Sequence, residues 1–319
     1  MTAASARINL GVGGSRQAPG KGRARAPVAL ELPFCQRWRE RRESYVPVRD
    51  CIRPSDFDVI RAPRDRDVSD FIATHHYLGS MPAARARFVL LERGQRVGVA
   101  VFGQPVNDRA ITNVLPGAAI ESLELQRLVL LDSVAANAES FFVARCHDAL
   151  RREGYVGVVS FSDPEPRVVF TERSDAPGSE PEAVIVRPGH LGIVYQALGF
   201  SYVGRSEPKL LRVFIGPGAD GRDGSVLNKR TSQKIRAGER GWVGAARQLV
   251  DRGATRPPDD RDGRVEWLRH WTNRLTRPLR HGGVHKYVLA LDRRARRHVP
   301  ASLAYPKWLA SAAQIDGAL

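Results

Sequence analysis

The sequence predicts a mixed α/β fold in which helices flank a central β-sheet. Between residues 88 and 215, strand and helix patterns follow each other in the order hairpin, strand, helix, strand, helix, strand. Because a hairpin pairs its strands antiparallel, the sheet is expected to be mixed and not a doubly wound parallel one. The composition of the 319 residues, 42% hydrophobic and 26% charged, is that of an ordinary globular protein. It excludes a collagen-like or wholly disordered chain.

The first elements of the core are a helix and a hairpin. A helix is expected over 67–74, because its apolar residues share one helical face. Two dense apolar strands, 88–92 and 97–102, are separated by a turn that contains Gly94. A strand rich in Leu and Val is expected over 123–131.

The second half of the core continues this alternation. A helix over 138–153 ends at Gly154, and a buried strand follows. A proline-rich, loop-like insertion separates that strand from a short helix that ends at Gly199. In residue numbers, this strand is 155–161, the insertion is 164–189 and the short helix is 189–198. Two more strands, 200–204 and 210–215, complete the core.

Outside the core, the composition shifts on both sides. Residues 1–30 are predicted to be disordered, and 31–57 to form a short helix followed by an extended segment. Beyond residue 215 we expect, in order, a linker at 216–224, a basic helical stretch at 225–250, a loop at 251–263, a helix at 264–276 and a strand at 285–291.

The net charge of +16 is distributed unevenly along the chain. Residues 1–57 hold 11 basic and 5 acidic residues, residues 58–215 hold 18 and 19, and residues 216–319 hold 21 and 10. We therefore expect a basic, partly disordered N-terminal arm (1–57), a near-neutral central domain (58–215) and a basic C-terminal region (216–319) that would bind a polyanion. A codon bias would explain why arginine outnumbers lysine, but it would not explain this segregation.

Arginine-rich, positively charged segments favour a polyanionic partner, because the guanidinium group binds phosphate with two donors. On this ground a nucleic acid is the expected kind of partner. The alternative interpretation of these residues is a solvated charged face. The candidate phosphate-binding residues are Lys229, Arg230, Lys234, Arg274, Arg293, Arg294 and Arg297.

The same sequence excludes several other classes of protein. The longest apolar runs are far shorter than the roughly 18 residues that cross a bilayer, so no membrane partner is expected. Three widely spaced cysteines exclude a disulfide scaffold and a CxxC zinc ribbon. No apolar segment of a signal peptide is visible at the N-terminus, so a cytoplasmic location is expected. The sequence leaves the oligomeric state open.

Several polar residues stand where a catalytic site would need them. His76 and Tyr77 at a predicted helix end are either a capping pair or a polar wall of the site. Glu124 and Arg127 either pair across the sheet surface or bind substrate. Asp163 follows a buried strand, so it is either a turn residue or a carboxylate at the sheet edge where sites of α/β folds gather.

Two further candidates have equally ordinary alternatives. Ser140 either bonds back to its own helix or serves the site, and Tyr195 is either a core residue or a catalytic one. Oxygen and imidazole donors such as these suit iron, although their spacing does not by itself indicate a metal site.

The order of motifs resembles the GNAT N-acyltransferase superfamily. In that fold a central strand splays from its neighbour, and the next helix N-terminus receives the pyrophosphate of an acyl-CoA. The glycine-rich phosphate loop of the family is replaced here by Ser133–Ser140, which contains Glu139 and no glycine. We therefore expect weak coenzyme A binding, and the donor is left open between acetyl-CoA and a glycine-like molecule.

A narrower set of residues resembles the bacteriophage Mom family. The motifs are His76-Tyr77 before Gly79, the strand 98–103, Glu124-Leu125-Gln126-Arg127, Ser140, Ser160–Asp163 and Gly189-His190-x-Gly192-x-x-Tyr195-Gln196. This resemblance implies an enzyme that converts adenine in phage DNA to an N6-carbamoylmethyl form, which protects the DNA from restriction. It implies catalytic roles for His76, Tyr77, Ser140, Asp163 and Tyr195, and substrate binding by Glu124, Arg127, His190 and Gln196.

Two rival functions remain at this stage. One is an ordinary GNAT N-acetyltransferase that acts on a protein or small-molecule amine. The other is a non-catalytic DNA-binding protein built on the same core, in which the polar residues His76, Tyr77, Asp163 and His190 would have no purpose.

Overall fold

A seven-stranded mixed sheet with helices on both faces forms the centre of the protein. The computed structural model describes residues 34–39, 42–47, 52–63, 66–105, 107–116, 118, 120–171, 182–187, 189–215 and 225–307. The predicted disordered arm 1–30 and the predicted linker 216–224 lie outside these residues.

The described strands are β1 (Phe34–Arg39), β2 (Arg42–Pro47), β3 (Phe57–Arg61), β4 (Ala86–Glu92), β5 (Gln95–Gly103), β6 (Ser122–Leu130), β7 (Gly157–Ser162), β8 (Arg167–Thr171), β9 (Glu182–Arg187), β10 (Ser201–Arg205), β11 (Lys209–Phe214), β12 (Thr276–His281) and β13 (His285–Ala290). The described helices are α1 (Arg66–His75), α2 (Arg109–Thr112), α3 (Ala138–Arg152), α4 (Ile193–Ala197), α5 (Lys229–Ala237), α6 (Trp242–Val250), α7 (Arg261–Leu275) and α8 (Arg293–Arg296).

The strand order of the central sheet is β10-β13-β7-β6-β5-β4-β3. Strands β6 and β7 pair in parallel, and every other neighbouring pair in this sheet is antiparallel. The predicted mixed α/β fold is therefore confirmed. The predicted hairpin is β4–β5, and its turn contains Gly94.

The two faces of the sheet are covered by different helices because side chains alternate along each strand. On β4, Phe88 packs in the cluster that contains Phe142 of α3, whereas Val89 packs with Ile72 of α1. All four side chains are almost fully buried. Each contributes roughly 1.5–3 kcal/mol by its removal from water.

The C-terminal part of the chain completes the sheet. Strand β13 lies between β7 and β10, and its residues His285–Ala290 pair with Ser162–Gly157. Glu31–Lys307 forms one compact unit. The region after residue 215, which the sequence analysis set apart as a separate basic region, therefore supplies an inner strand of the same sheet.

A small helical unit precedes that strand. Its core contains Ile235 of α5, Leu249 of α6 and Trp267 of α7, together with Phe214 at the end of β11. Strand β11 precedes this unit in the chain and β12 follows it, and the two strands pair antiparallel with each other. The predicted basic helical stretch 225–250 thus contains the two helices α5 and α6.

Two predictions of secondary structure are wrong. The short helix expected within 31–57 is instead the hairpin β1–β2, followed by the edge strand β3. The insertion 164–189, expected to be a loop, contains the antiparallel pair β8–β9. In the first case charged residues interrupt the apolar alternation on which the prediction depends. In the second, the prolines that suggested a loop lie outside the two strands.

Candidate active site

The two parallel strands of the sheet separate at Glu124. Their pairing covers only three positions, which end at Glu124 on β6 and Val159 on β7. Beyond this point β6 continues to Leu130 without pairing with β7. Just past this point Ser160 of β7 is fully buried, and its hydroxyl lies 3.4 Å from the backbone oxygen of Leu125 on β6.

Glu124 lies at the start of this gap between β6 and β7 and is mostly buried. Burial raises the pKa of its carboxyl group to about 7, and the nearby positive charge of Arg127 opposes that shift. A carboxylate with a pKa near neutrality can accept a proton and release it again at physiological pH. This environment gives Glu124 a chemical capacity beyond the salt bridge with Arg127 that the sequence left open.

Arg127 connects the central strand to the loop after α1. Its Nε donates to the backbone oxygen of Ser80 at 3.0 Å, and one terminal nitrogen lies 3.4 Å from the Ser80 hydroxyl. The other terminal nitrogen donates to the backbone oxygen of Gln126 at 2.7 Å. Arg127 therefore positions the segment that carries His76 and Tyr77.

That segment brings three rings together. His76 is only 3% exposed, and its Nδ1 accepts a hydrogen bond from the backbone N–H of Leu78 at 3.1 Å. The His76 and Tyr77 rings stack, with centroids 4.4 Å apart, and the rings of Tyr77 and His190 meet edge to face, with centroids 6.5 Å apart. The arrangement is a small aromatic surface with imidazole and phenol groups at its edges.

Asp163 belongs to a dyad that the sequence did not predict. Its Oδ1 lies 2.9 Å from Nε2 of His281, which is 2% exposed and ends β12. Nδ1 of His281 accepts from the backbone N–H of Gly283 at 3.0 Å. The ring proton is therefore on Nε2, which donates to Asp163.

Two neighbouring groups hold this dyad in place. Glu165 accepts from the backbone N–H of Gly282 at 2.9 Å and from the guanidinium group of Arg205. The backbone N–H of His190 also donates to the Asp163 carbonyl at 2.8 Å. Asp163 and His190 therefore occupy one locus, although 164–189 separates them in sequence.

Tyr195 is a buried phenol close to the same groups. Burial raises its pKa, the hydroxyl of Ser160 counteracts part of the rise, and the charges of Tyr77, Glu124 and Tyr287 add to it. The Tyr195 and Tyr287 rings lie 5.2 Å apart. Tyr195 is thus neutral at physiological pH and lies within electrostatic range of Glu124.

Gln196 stabilises the turn before α4 through a hydrogen bond. Its amide donates to the backbone oxygen of Leu191 at 3.2 Å, and the hydroxyl of Tyr287 donates to the same oxygen. Both groups therefore hold the turn that precedes α4.

Ser140 makes its hydrogen bond within its own helix. Its hydroxyl donates to the backbone oxygen of Asn137 at 2.9 Å, within the first turn of α3. This is the local interaction that the sequence analysis gave as the alternative to a catalytic role.

The N-terminal hairpin fills the space in front of α3. Arg37 of β1 is buried and forms an ion pair with Glu139. Its terminal nitrogens donate to the backbone oxygens of Leu131, Val134 and Ala135 at 2.6–2.8 Å. A guanidinium and a carboxylate therefore occupy the position where the GNAT resemblance would place a pyrophosphate.

The donor set does not fit the iron that the sequence analysis considered. Among the described residues, no three His, Cys, Asp or Glu side chains are grouped so that they could hold a metal ion. In this part of the chain, too, no helix is long and apolar enough to cross a membrane.

The candidate phosphate-binding residues lie on the C-terminal elements. Most are exposed, on α5, at the end of α7 and on α8, whereas Lys234 is half-buried. Arg230 forms an ion pair with Glu239. The exposed residues of this set are Lys229, Arg230, Arg274, Arg293, Arg294 and Arg297.

Comparison with known proteins gives one family match. The model of the Mom protein family matches residues 56–167, which confirms the predicted resemblance for that segment. The segment includes His76, Tyr77, Glu124, Arg127 and Asp163. No curated protein matches the chain.

Solved structures with a similar arrangement of elements include three acetyltransferases of low sequence identity. An N-acetyltransferase from Staphylococcus aureus Mu50 is 11% identical, with a TM-score of 0.31, and the match covers 74% of this chain and 99% of that one. A tandem GNAT protein from the clavulanic acid biosynthesis pathway is 10% identical, with a TM-score of 0.34 and the same coverage. The ribosomal-protein-S18-alanine N-acetyltransferase from Escherichia coli is 13% identical, with a TM-score of 0.27, and covers 53% and 90%.

Proposed function

We propose that this protein is a Mom-like transferase that converts adenine in double-stranded DNA to its N6-carbamoylmethyl form in the host cytoplasm, and so protects phage DNA from restriction. The family match supports the class of enzyme, because it spans the segment that holds the candidate residues of the strand gap. The single observation that carries the proposal is the buried carboxylate of Glu124 at that gap, with a pKa of about 7.

The chemistry requires a base next to the attacking amine. The exocyclic amine of adenine is a weak nucleophile because its lone pair is conjugated with the ring. In the proposed step, N6 forms a bond to the methylene carbon of a glycine-like amide donor, the bond from that carbon to the donor's protonated amino group breaks, and its electron pair leaves with the nitrogen as ammonia. The N6 proton passes to Glu124, which accepts it in the deprotonated form.

The aromatic residues fit a base that has left the DNA stack. A nucleotide in a duplex reaches an enzyme's reactive atoms only when it is flipped out, and flipped bases stack on aromatic side chains. The partly exposed rings of Tyr77 and His190 fit such a role, with the buried His76 ring stacked on Tyr77. Arg127 supports the segment that carries Tyr77.

Asp163 contributes to the same site through His281. A carboxylate that is hydrogen-bonded to a buried imidazole has a fixed orientation, as a group that aligns a substrate requires. We propose that the pair positions the loop of His190 against the aromatic surface.

A GNAT N-acetyltransferase is the second candidate, since the separation of β6 and β7 fits that fold. The Arg37–Glu139 ion pair disfavours it, because the paired side chains occupy the start of α3 and the guanidinium is already bound to Glu139 and to three backbone oxygens. Calorimetry with acetyl-CoA distinguishes the two. We expect an affinity weaker than micromolar, and sub-micromolar binding without any effect of DNA would favour the acetyltransferase.

The proposed reaction is tested by mass spectrometry of nucleosides from the DNA of bacteria that express the full chain. We expect a new deoxyadenosine species whose mass is increased by one carbamoylmethyl group in place of a hydrogen. Only unmodified deoxyadenosine, in cells where the protein is abundant and folded, would contradict the proposal.

A further inference from the structure

The helical unit carries a surface that the proposed chemistry does not use. Helices α5 and α6 have nine residues each, and four residues connect them. The first and last of these four, Gly238 and Gly241, have positive φ angles of 67° and 79°. Two short helices joined by a tight, glycine-containing turn have the dimensions of a helix-turn-helix motif.

The inward face of α6 fixes the helix on the unit. Trp242, Ala245, Ala246 and Leu249 follow the i, i+3, i+4, i+7 spacing of a helical face, and all four pack in the same apolar core. Because this face is fully used, the opposite face of α6 points away from the unit.

The outward face of α6 has an unusual composition for a solvated surface. It consists of Val243, Gly244, Arg247 and Gln248, at i, i+1, i+4 and i+5. Val243 is 57% exposed, and Arg247 and Gln248 are exposed as well. No side-chain hydrogen bond or ion pair of either polar residue is found among the described residues.

Gly244 has no structural reason to be a glycine. It is the third residue of α6, and glycine is a poorer helix former than alanine. Its φ angle is not positive, and an added Cβ would have no neighbour within 4 Å. A glycine that costs helix stability without filling a packing need lets a partner approach the backbone closely.

The charge around this face matches a polyanion. Between residues 229 and 250 the chain has six basic residues and one acidic residue, Glu239. Glu239 pairs with Arg230, so Glu239 does not neutralise the other exposed cations of this segment. Two further arginines of the helical unit pack on aromatic rings. The guanidinium carbon of Arg252 lies 4.1 Å from the centre of the Phe214 ring, and Arg264 is buried over Trp242.

We propose that α6 is a recognition helix that lies in the major groove of double-stranded DNA and reads base edges. If the proposed function holds, on which this last step rests, α6 then determines the sequence around the adenine that is modified. We infer duplex DNA as the partner from the side chains on the outward face of α6, because each base pair presents a distinct pattern of donors and acceptors in the major groove.

Each outward residue has a defined complement in that groove. Arg247 can donate two hydrogen bonds to guanine, and Gln248 can exchange two with adenine. Val243 can contact the methyl group of thymine, while Gly244 leaves room for the phosphate backbone or a base edge. Exposed cations of α5, Lys229 and Arg236, would contact phosphates on either side.

The test is a selection from a randomised DNA duplex library with the full-length protein at physiological salt, followed by sequencing of the bound fraction. We expect the wild-type protein to enrich one motif. The substitution Arg247→Ala should remove the preference for guanine at one position and weaken binding to the enriched duplex about 10- to 100-fold.

Gly244→Ala separates recognition from folding. Alanine favours the helix and meets no neighbour, so the unfolding temperature should be equal to or above that of the wild type. Binding to the enriched duplex should nevertheless fall. Arg256→Ala is the matched control, because it removes one exposed arginine of the same unit outside α5 and α6, and it should keep the motif unchanged.

The outcomes are distinguishable from those of the adenine reaction. An enriched motif that Arg247→Ala and Gly244→Ala leave unchanged would overturn the proposal. So would binding without sequence preference, no binding of duplex DNA, or a preference for RNA or single strands. A motif that disappears in these variants supports the recognition helix even if no modified adenine is found in cells.

Discussion

At the scale of single residues, the position of Glu124 in the sheet determines what its carboxyl group can do. The sequence already marked Glu124 and Arg127, but it could not distinguish a surface salt bridge from a reactive group. That distinction depends on where β6 and β7 stop pairing, which is a property of the whole sheet. Burial at this point raises the pKa of Glu124 to about 7, and no local pattern reveals burial of this kind.

The raised pKa predicts a pH-dependent stability. Because the pKa of Glu124 is above 4.5 only in the folded state, its contribution favours folding at low pH and is lost as the pH rises towards 7. Glu124→Gln removes this loss. Relative to the wild type, we expect its free energy of unfolding to gain about 2 kcal/mol between pH 5 and pH 8.

Urea denaturation at the two pH values measures this effect. Glu121→Gln is the matched control, because Glu121 is exposed and directly precedes the same strand. If the two variants show the same pH dependence, the carboxyl group of Glu124 is not buried as described.

His281 shows what sequence reasoning could not find. It lies 118 residues from Asp163, in no recognised motif, and only the insertion of β13 into the sheet brings the two together. Asp163 was predicted from its place after a buried strand. Its catalytic role stays a prediction, because the structure gives its partner and not its action on substrate.

Two substitutions separate the charge of Asp163 from its hydrogen bonds. Asp163→Asn keeps an oxygen that accepts from His281 and from the backbone N–H of Glu165, so stability should stay near that of the wild type. Asp163→Ala leaves a buried imidazole donor unsatisfied and should cost about 1–3 kcal/mol. Thermal unfolding measures both, and equal stability of the two variants would contradict the dyad.

If the carboxylate itself takes part in the reaction, Asp163→Asn should reduce adenine modification at least about a hundredfold. A folded and fully active Asp163→Asn protein would remove its charge from the mechanism.

At the scale of elements, apolar alternation predicted the core and failed at its charged additions. The hairpin β4–β5, strand β6 and helix α3 are found close to their predicted ranges, since their buried residues repeat at two or about 3.6 residues. Strands β1 and β2 escaped prediction because arginine and glutamate alternate with their apolar residues. The buried face of β1 is made by Arg37, which hydropathy scores as exposed.

Arg37 is therefore the residue on which the hairpin β1–β2 depends most. Arg37→Ala would leave the buried carboxylate of Glu139 and three carbonyl groups without their partner. We expect a loss of about 3–5 kcal/mol in the free energy of unfolding, because breaking one side of a buried ion pair strands the other charge. Chemical denaturation measures it.

The matched control is Arg66→Ala. Arg66 pairs with Asp70 at 3.7 Å on the exposed surface of α1. Exposed pairs of this kind are worth less than about 1 kcal/mol. Equal effects of the two substitutions would mean that Arg37 is not buried in front of α3.

At the scale of the whole molecule, charge segregation and fold do not follow the same boundary. The basic C-terminal region was predicted from composition, yet it supplies the inner strand β13 to the sheet. A truncation before residue 285 would remove this strand and Tyr287 with it, so it would test folding and not DNA binding. The role of the cations has to be examined by substitution.

The exposed cations of α8 allow such a test. Arg293, Arg294 and Arg297 are exposed, while Ala295 anchors the turn in the core. Replacing the three arginines by alanine should lower the magnitude of the slope of log affinity against log salt by about 0.9 for each phosphate that the variant no longer neutralises. Fluorescence anisotropy with a DNA duplex measures the slope, and an unchanged slope would show that α8 does not bind phosphate.

The central claim is that Glu124 accepts the proton of adenine N6, and it is tested most directly by measuring modified deoxyadenosine in cells that express matched variants. We predict that Glu124→Gln lowers the modified fraction at least about a hundredfold, since the amide cannot accept the proton. Glu121→Gln should modify DNA as the wild type does. Wild-type levels of modified adenine in the Glu124→Gln protein would contradict the account.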